Sequence, residues 1–169
     1  MNLYLLRHAE ADPRGTPGCR DDSDRALTKD GVSTMRRAAK GMRRLELDFD
    51  LILSSPYVRA RQTAEITADV LGAKKKLKFS DHLASDGDPR QLVAELDRDY
   101  SGRGSILLVG HEPYLSELIC TLIECRSGSA LALKKAGLCK LSTDSLRFGP
   151  CATLDWLVTP RQLVHIGNA

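Results

Sequence analysis

Three short, uninterrupted apolar runs constrain the fold of this chain more than any other feature. They are Asn2–Leu6, Asp50–Leu53 and Ser105–Val109. Runs of this length, bounded by polar and turn-forming residues, read as buried strands rather than helices. The first stops at Arg7-His8, the second at Ser54-Ser55-Pro56 and the third at Gly110-His111-Glu112-Pro113. Ser105–Val109 is the clearest of them.

Helix-period segments fill the gaps. After an aperiodic stretch over 11–27 that holds Pro13, Gly15, Pro17 and Gly18, Thr28 reads as an N-cap. Val32, Met35, Ala38, Ala39, Met42 and Leu45 then recur on one face, with Arg36, Arg37, Lys40, Arg43 and Arg44 mostly on the others. A second helix is predicted over about 57–71, with Gly72 at its end. Lys76–Phe79 is a short strand. Asp88-Pro89 starts a helix with the stripe Leu92, Val93 and Leu96, and Leu115, Leu118, Ile119, Leu122 and Ile123 mark another. Two late strands fall near 137–142 and 152–158. This β-α-β-α order predicts a three-layer α/β/α sandwich with a mostly parallel central sheet, built as a single domain over residues 1–169.

Composition narrows the function classes. At 42% hydrophobic and 28% charged residues over 169 positions, the chain suits a globular domain rather than a disordered or collagen-like one. With 25 basic against 22 acidic residues the net charge is +3, too small to argue for a nucleic-acid partner. No apolar run reaches the ~18–20 residues of a membrane helix, and the amino terminus lacks the basic region of a signal peptide. The five cysteines are an odd number without Cys-x-x-Cys spacing, so neither a disulfide framework nor a zinc site is expected. The reading is a cytoplasmic monomer without a metal or other cofactor. Cys120 and Cys125 read as core, and Tyr57 and Trp156 as packing residues. His82 and His165 read as surface or structural positions.

Open α/β sheets bind ligands beyond the carboxyl ends of their strands. If the strands run parallel, Arg7, His8 and His111 leave one edge of the sheet, and Arg59 and Arg61 follow within about a turn. Such a group of cationic side chains would repel itself without an anion to bind. The planar guanidinium fork suits a tetrahedral oxyanion. An imidazole keeps a usable lone pair at neutral pH and can form a covalent intermediate. A phosphoryl group held by Arg7 and Arg59 fits this set, with one histidine attacking phosphorus and the other bonding an equatorial oxygen. The competing reading of Arg59 and Arg61 is a solvated helix face.

Leu5-Leu6-Arg7-His8-Ala9-Glu10 resembles the Arg-His-Gly signature of the histidine phosphatase superfamily, also called phosphoglycerate mutase-like, with Ala9 in place of the usual glycine. Ser54-Ser55-Pro56-Tyr57-Val58-Arg59-Ala60-Arg61-Gln62-Thr63-Ala64 resembles its second block, and Val109-Gly110-His111-Glu112-Pro113 its third. The short length, Asp24–Gly31 and Trp156–Pro160 are similar to the SixA-type branch of phosphohistidine phosphatases. The resemblance implies a phosphoglycerate mutase-like fold. It also implies His8 as nucleophile, with Arg7, Arg59 and His111 around the phosphoryl group. Arg25 stands where that branch often has an arginine near the pocket, which makes it an anion or substrate contact; a surface position at a helix start is the competing reading.

Larger relatives carry a glutamate general acid in a Leu-x-Glu context. The nearest match is Leu83-Ala84-Ser85, which ends in serine. Asp81, Asp86 and Asp88 stand close by as unassigned substitutes for the acid, and Glu10, near the nucleophile, is another candidate whose competing reading is a solvated loop carboxylate; Glu10 and Ser85 are also substrate-contact candidates. An alkyl phosphate expels an alkoxide and needs a proton delivered, whereas a ring-protonated phosphohistidine expels neutral imidazole. A site without a dedicated acid favours P–N cleavage, and a short early loop leaves the pocket open to a protein side chain. The expected partner is a phosphorylated protein. A phosphatase of small phosphoesters and a non-catalytic phosphate-binding module are the alternatives.

Overall fold

The computed structural model describes residues 1–125 and 131–168. Six strands form one sheet: β1 (Asn2–Arg7), β2 (Leu51–Ser54), β3 (Leu77–Phe79), β4 (Ser105–Gly110), β5 (Leu138–Ser142) and β6 (Thr153–Val158). Their order across the sheet is β3-β2-β4-β1-β5-β6. The first four run parallel. β5 lies antiparallel to both β1 and β6, so it alone runs against the rest. The sheet is thus mostly parallel, as the alternating pattern predicts.

Alternate residues along each strand feed two cores, because side chains leave a strand on opposite faces. Tyr4, Leu6, Ile52, Leu107 and Val109 pack under α1 (Lys29–Arg44), α2 (Val58–Val70) and α5 (Pro160–Asn168). Leu3, Leu5, Leu51, Leu53, Ile106 and Leu108 pack under α3 (Pro89–Tyr100) and α4 (Tyr114–Ile123). The result is the expected helix–sheet–helix sandwich. Both nominated N-caps operate: Thr28 accepts from the Gly31 N–H at 2.9 Å and Asp88 from the Arg90 N–H at 2.8 Å. Tyr4 lies against Phe49 and Trp156, with ring centroids 5.0 and 5.8 Å apart. All five cysteines are free thiols, and Cys120 and Cys125 are half-buried rather than core.

The sequence reading stops at the second late strand, and the structure adds α5 after it. This helix crosses α1 closely enough that a side chain at Gly41 has no room. A Cβ there would stand 2.0 Å from the Leu163 carbonyl oxygen. Gly41 sits inside a helix, where alanine would otherwise be favoured by about 1 kcal/mol. Close contact between the helices outweighs that preference.

Gly41→Ala should therefore destabilise the protein by about 1–3 kcal/mol in urea unfolding, because the obstacle is backbone. An unchanged or raised midpoint would mean that α5 does not seat against α1 in solution.

Candidate active site

Three neighbouring strands end within one residue of each other. Arg7 of β1 pairs with Gly110 of β4, and Ser54 of β2 pairs with Val109. The ladder continues past both ends: the His8 N–H donates to the Gly110 carbonyl at 3.0 Å, and the Ser55 N–H donates to that of Val109 at 2.9 Å. Sheet register thus sets His8, Ser55 and His111 side by side. The His8 and His111 ring centroids are 5.2 Å apart.

Both imidazoles are buried, His8 at 8% and His111 at 2% exposure. His8 Nδ1 lies 2.7 Å from the Ala9 carbonyl oxygen. A carbonyl can only accept, so the ring proton belongs on Nδ1, and Nε2 carries the lone pair. Burial lowers the His8 pKa most, the Ala9 hydrogen bond opposes it, and the charges of Arg59, Arg7 and Arg25 push further down, to about 4. Burial, Arg59 and His8 likewise lower His111, to about 3. Four cationic groups do not coexist here: at neutral pH both histidines are uncharged and the arginines carry the positive charge. His111 Nε2 lies 2.8 Å from the Ser55 hydroxyl, and its buried Nδ1 has no protein partner.

Arg59 is 3% exposed, so the solvated-face reading does not apply to it. That reading does hold for Arg61, which is half-exposed and faces Glu65 at 3.7 Å. Two positions along a helix turn the side chain through roughly 200°, enough to separate core from solvent. Thr63 locks the inward residue in place. Its buried hydroxyl donates to the Arg59 carbonyl at 2.7 Å and accepts the Ala9 N–H at 3.1 Å. One side chain of α2 therefore ties the helix to the backbone just after His8. Arg7 Nη1 donates to the Leu133 carbonyl at 2.9 Å, while its Nε is buried without a partner.

The sequence reading passed over Asp22, at the start of a 3-10 turn over Asp22–Asp24. Its carboxylate accepts from Arg59 Nη2 at 2.9 Å, Arg25 Nε at 2.9 Å and Arg14 Nε at 3.0 Å. Its carbonyl accepts from Arg59 Nη1 at 2.5 Å. Partial burial raises the Asp22 pKa, but the Arg25 hydrogen bond and the charges of Arg59, Arg25 and Arg14 overcome this and lower it to about 2. One carboxylate against three guanidinium groups leaves the cluster positive. The acidic run Asp21-Asp22-Ser23-Asp24 beside Arg25 was the only sequence signal for it.

Of the remaining nominated residues, Arg25 joins the site. Its side chain is 14% exposed, and it also donates to the Asp12 carbonyl at 2.8 Å. Glu10 does not join: it is exposed and faces Lys135 at 3.5 Å. Ser85 is exposed at the rim, beside the Tyr57 hydroxyl. Asp86 accepts from that hydroxyl at 3.0 Å, and Asp88 serves as the α3 cap. Glu112, which follows His111, is close enough to Arg7 to feel its charge. Ser116 donates to its Oε2, its Oε1 is buried without a partner, and burial raises its pKa. A groove of about 630 Å³ runs beside α5, lined by Arg37, Arg161, Gln162 and His165 among others, and holds none of these residues. Among the described residues, no three His, Cys, Asp or Glu side chains gather as a metal site, and no helix is long and apolar enough to cross a membrane.

The family model for the histidine phosphatase superfamily (branch 1) matches residues 3–84. An uncharacterised protein of Picosynechococcus is 36% identical over 87% of this chain and 88% of its own. Phosphohistidine phosphatase SixA of Escherichia coli is 25% identical over 96% of each chain. The chain belongs to the histidine phosphatase superfamily. Its likeness within that superfamily is to the SixA-type branch. The structure of the protein histidine phosphatase SixA complexed with tungstate superposes with a TM-score of 0.81 at 24% identity, covering 96% of this chain and 99% of the other. The alpha-ribazole phosphatase of Shigella flexneri superposes at 0.73 and 19% identity, over 95% and 97%. The fold is therefore phosphoglycerate mutase-like, and the chain is a phosphatase of the hydrolase class.

Two measurements check this geometry. In an NMR titration the His8 ring should change protonation near pH 4 and His111 near pH 3. The unfolded chain protonates them near ~6.5, so they make stability fall as pH drops from about 6.5 toward 4; a His8 midpoint near 6.5 would contradict the buried, arginine-flanked setting. Thr63→Val leaves the Ala9 N–H unpaired. It should cost about 1–3 kcal/mol in denaturant unfolding and lower phosphatase activity, with Thr63→Ser restoring most of both.

Proposed function

We propose that the protein is a phosphohistidine phosphatase that works through a covalent phosphohistidine on His8. The observation that carries this reading is the His8 ring: its Nδ1–H is committed to the Ala9 carbonyl, its Nε2 is free, and its low pKa keeps it unprotonated among arginines. In the first step the Nε2 lone pair attacks phosphorus in line, and the P–N bond to the substrate imidazole breaks with that electron pair leaving on the substrate ring. Arg7, Arg59 and His111 hold the equatorial oxygens, and the Ala9 carbonyl steadies positive charge as it develops on the His8 ring. Water then attacks the phosphorylated His8 and releases inorganic phosphate. No metal or cofactor enters the scheme.

The acid–base inventory supports a P–N substrate. An alkoxide leaving group needs a proton donor. Asp22, the carboxylate on Arg59, is held ionised by three arginines down to about pH 2 and has no proton to give at neutral pH. Glu10 turns outward to Lys135. A ring-protonated phosphohistidine leaves as neutral imidazole and needs neither. The similarity to SixA points the same way. The competing reading is hydrolysis of small phosphoesters, and its support is the shared fold of the alpha-ribazole phosphatase.

The test is turnover of a phosphohistidine-bearing protein or peptide beside a panel of sugar and nucleotide phosphates. Phosphohistidine should be the preferred substrate, and His8→Ala should abolish its hydrolysis while the fold persists. Wild-type protein should carry acid-labile phosphate during turnover, and the variant none. Full activity in His8→Ala would end this mechanism. Efficient turnover of phosphoesters alone would favour the competing reading, and phosphate binding without turnover of any substrate would favour a binding module.

A further inference from the structure

Tyr57 stands at the rim of the site with one face of its function unexplained. It occupies the N-cap position of α2, yet its side chain makes no capping hydrogen bond. Its ring centroid lies 5.1 Å from that of His111, and the Arg59 guanidinium carbon stands 5.2 Å from the same ring. Its hydroxyl donates to Asp86, which fixes the ring from the far side and ties it to the loop carrying Ser85. The residue is only half-buried, so part of the ring stays open to solvent. Tyr57 thus touches two groups that flank the phosphoryl position and is held rigid by a third contact.

In-line attack from His8 sends the leaving group away on the side of phosphorus opposite the His8 ring. The Tyr57 ring stands against both His111 and Arg59, the two residues that the proposed mechanism sets around the phosphoryl group. We propose that Tyr57 is a specificity-determining wall that packs against an aromatic leaving group, the imidazole ring of a phosphohistidine. This rests on the phosphohistidine reading above and adds the residue that recognises the ring rather than the phosphate. Aromatic pairs gain from offset or edge contact beyond buried area alone. An aliphatic leaving group, such as that of phospholysine, obtains no such gain. The hydroxyl has a separate role in fixing the ring through Asp86.

The experiment compares kcat/KM for a phosphohistidine peptide and for a phospholysine peptide, whose aliphatic amine leaves in the same P–N cleavage without a proton donor, in wild type, Tyr57→Phe and Tyr57→Leu. The ratio of the two should fall about threefold to tenfold in Tyr57→Leu, the range aromatic pairing usually supplies, mainly through KM. Tyr57→Phe keeps the ring and should restore most of the ratio. A fall by the same factor on both substrates, or an unchanged ratio, overturns the proposal, since a merely structural role would not tell the substrates apart. If Tyr57→Leu fails to fold by thermal melting, Tyr57→Gln makes the same comparison. Wild-type enzyme that does not turn over phosphohistidine at all overturns the underlying reading and this proposal together. Wild-type turnover with an unchanged ratio overturns this proposal alone.

Discussion

A neutral imidazole buried beside fixed positive charge is the constraint on which the rest of this structure depends. Burial and the charges of Arg59, Arg7 and Arg25 both oppose a proton on His8. The ring therefore keeps its lone pair where a cationic histidine would have none. The same arginines that empty the ring of its proton are those suited to hold an anion in front of it. Without an anion they need a counter-charge, and Asp22 supplies it by bridging Arg14, Arg25 and Arg59. Three guanidinium groups on one carboxylate keep a positive remainder.

The scaffold delivers this arrangement through backbone register rather than through long side-chain networks. β2, β4 and β1 lie next to one another, and their ladders run on to Ser55 and His8. Side chains at such ends are aimed by the sheet, whose strands are packed on both faces by helices. Arg59 is the exception, since it comes from a helix. Thr63 joins that helix to the Ala9 N–H, so the arginine and the nucleophile-bearing strand end are braced together. The α1 start is braced to the same segment. The Thr28 N–H donates to the Glu10 carbonyl at 3.0 Å, and Gly31 has no Cβ to meet that carbonyl.

Much of the fold was legible because apolar periodicity encodes it directly. The first three buried runs became β1, β2 and β4, and Thr28 and Asp88 cap the helices that their patterns announced. The terminal helix was not foreseen. α5 is nine residues long and buries only Leu163 fully, so its stripe is faint beside the strand before it. In the site, Arg7, His8 and His111 were visible as charged or titratable residues directly after apolar runs. Asp22 was not, because it lies in an aperiodic loop whose path is set by the arginines it meets. Thr63 and Ser55 were hidden for a different reason: a buried hydroxyl gains its meaning from a partner distant in sequence.

The amino-acid sequence alone determined which residue types follow each strand and which segments are strand or helix, since these rest on local hydrophobic period and capping chemistry. It also determined that two histidines and two arginines would leave one sheet edge if the strands ran parallel. Only the tertiary structure decided which arginine turns inward, which His8 nitrogen stays free, and which carboxylate answers the positive charge. Those outcomes depend on burial and on contacts between residues far apart in the chain, as with Ala9 and Thr63 or Asp22 and Arg59. No local pattern records them, because a hydrogen bond or a desolvated charge exists only once both partners have been brought together.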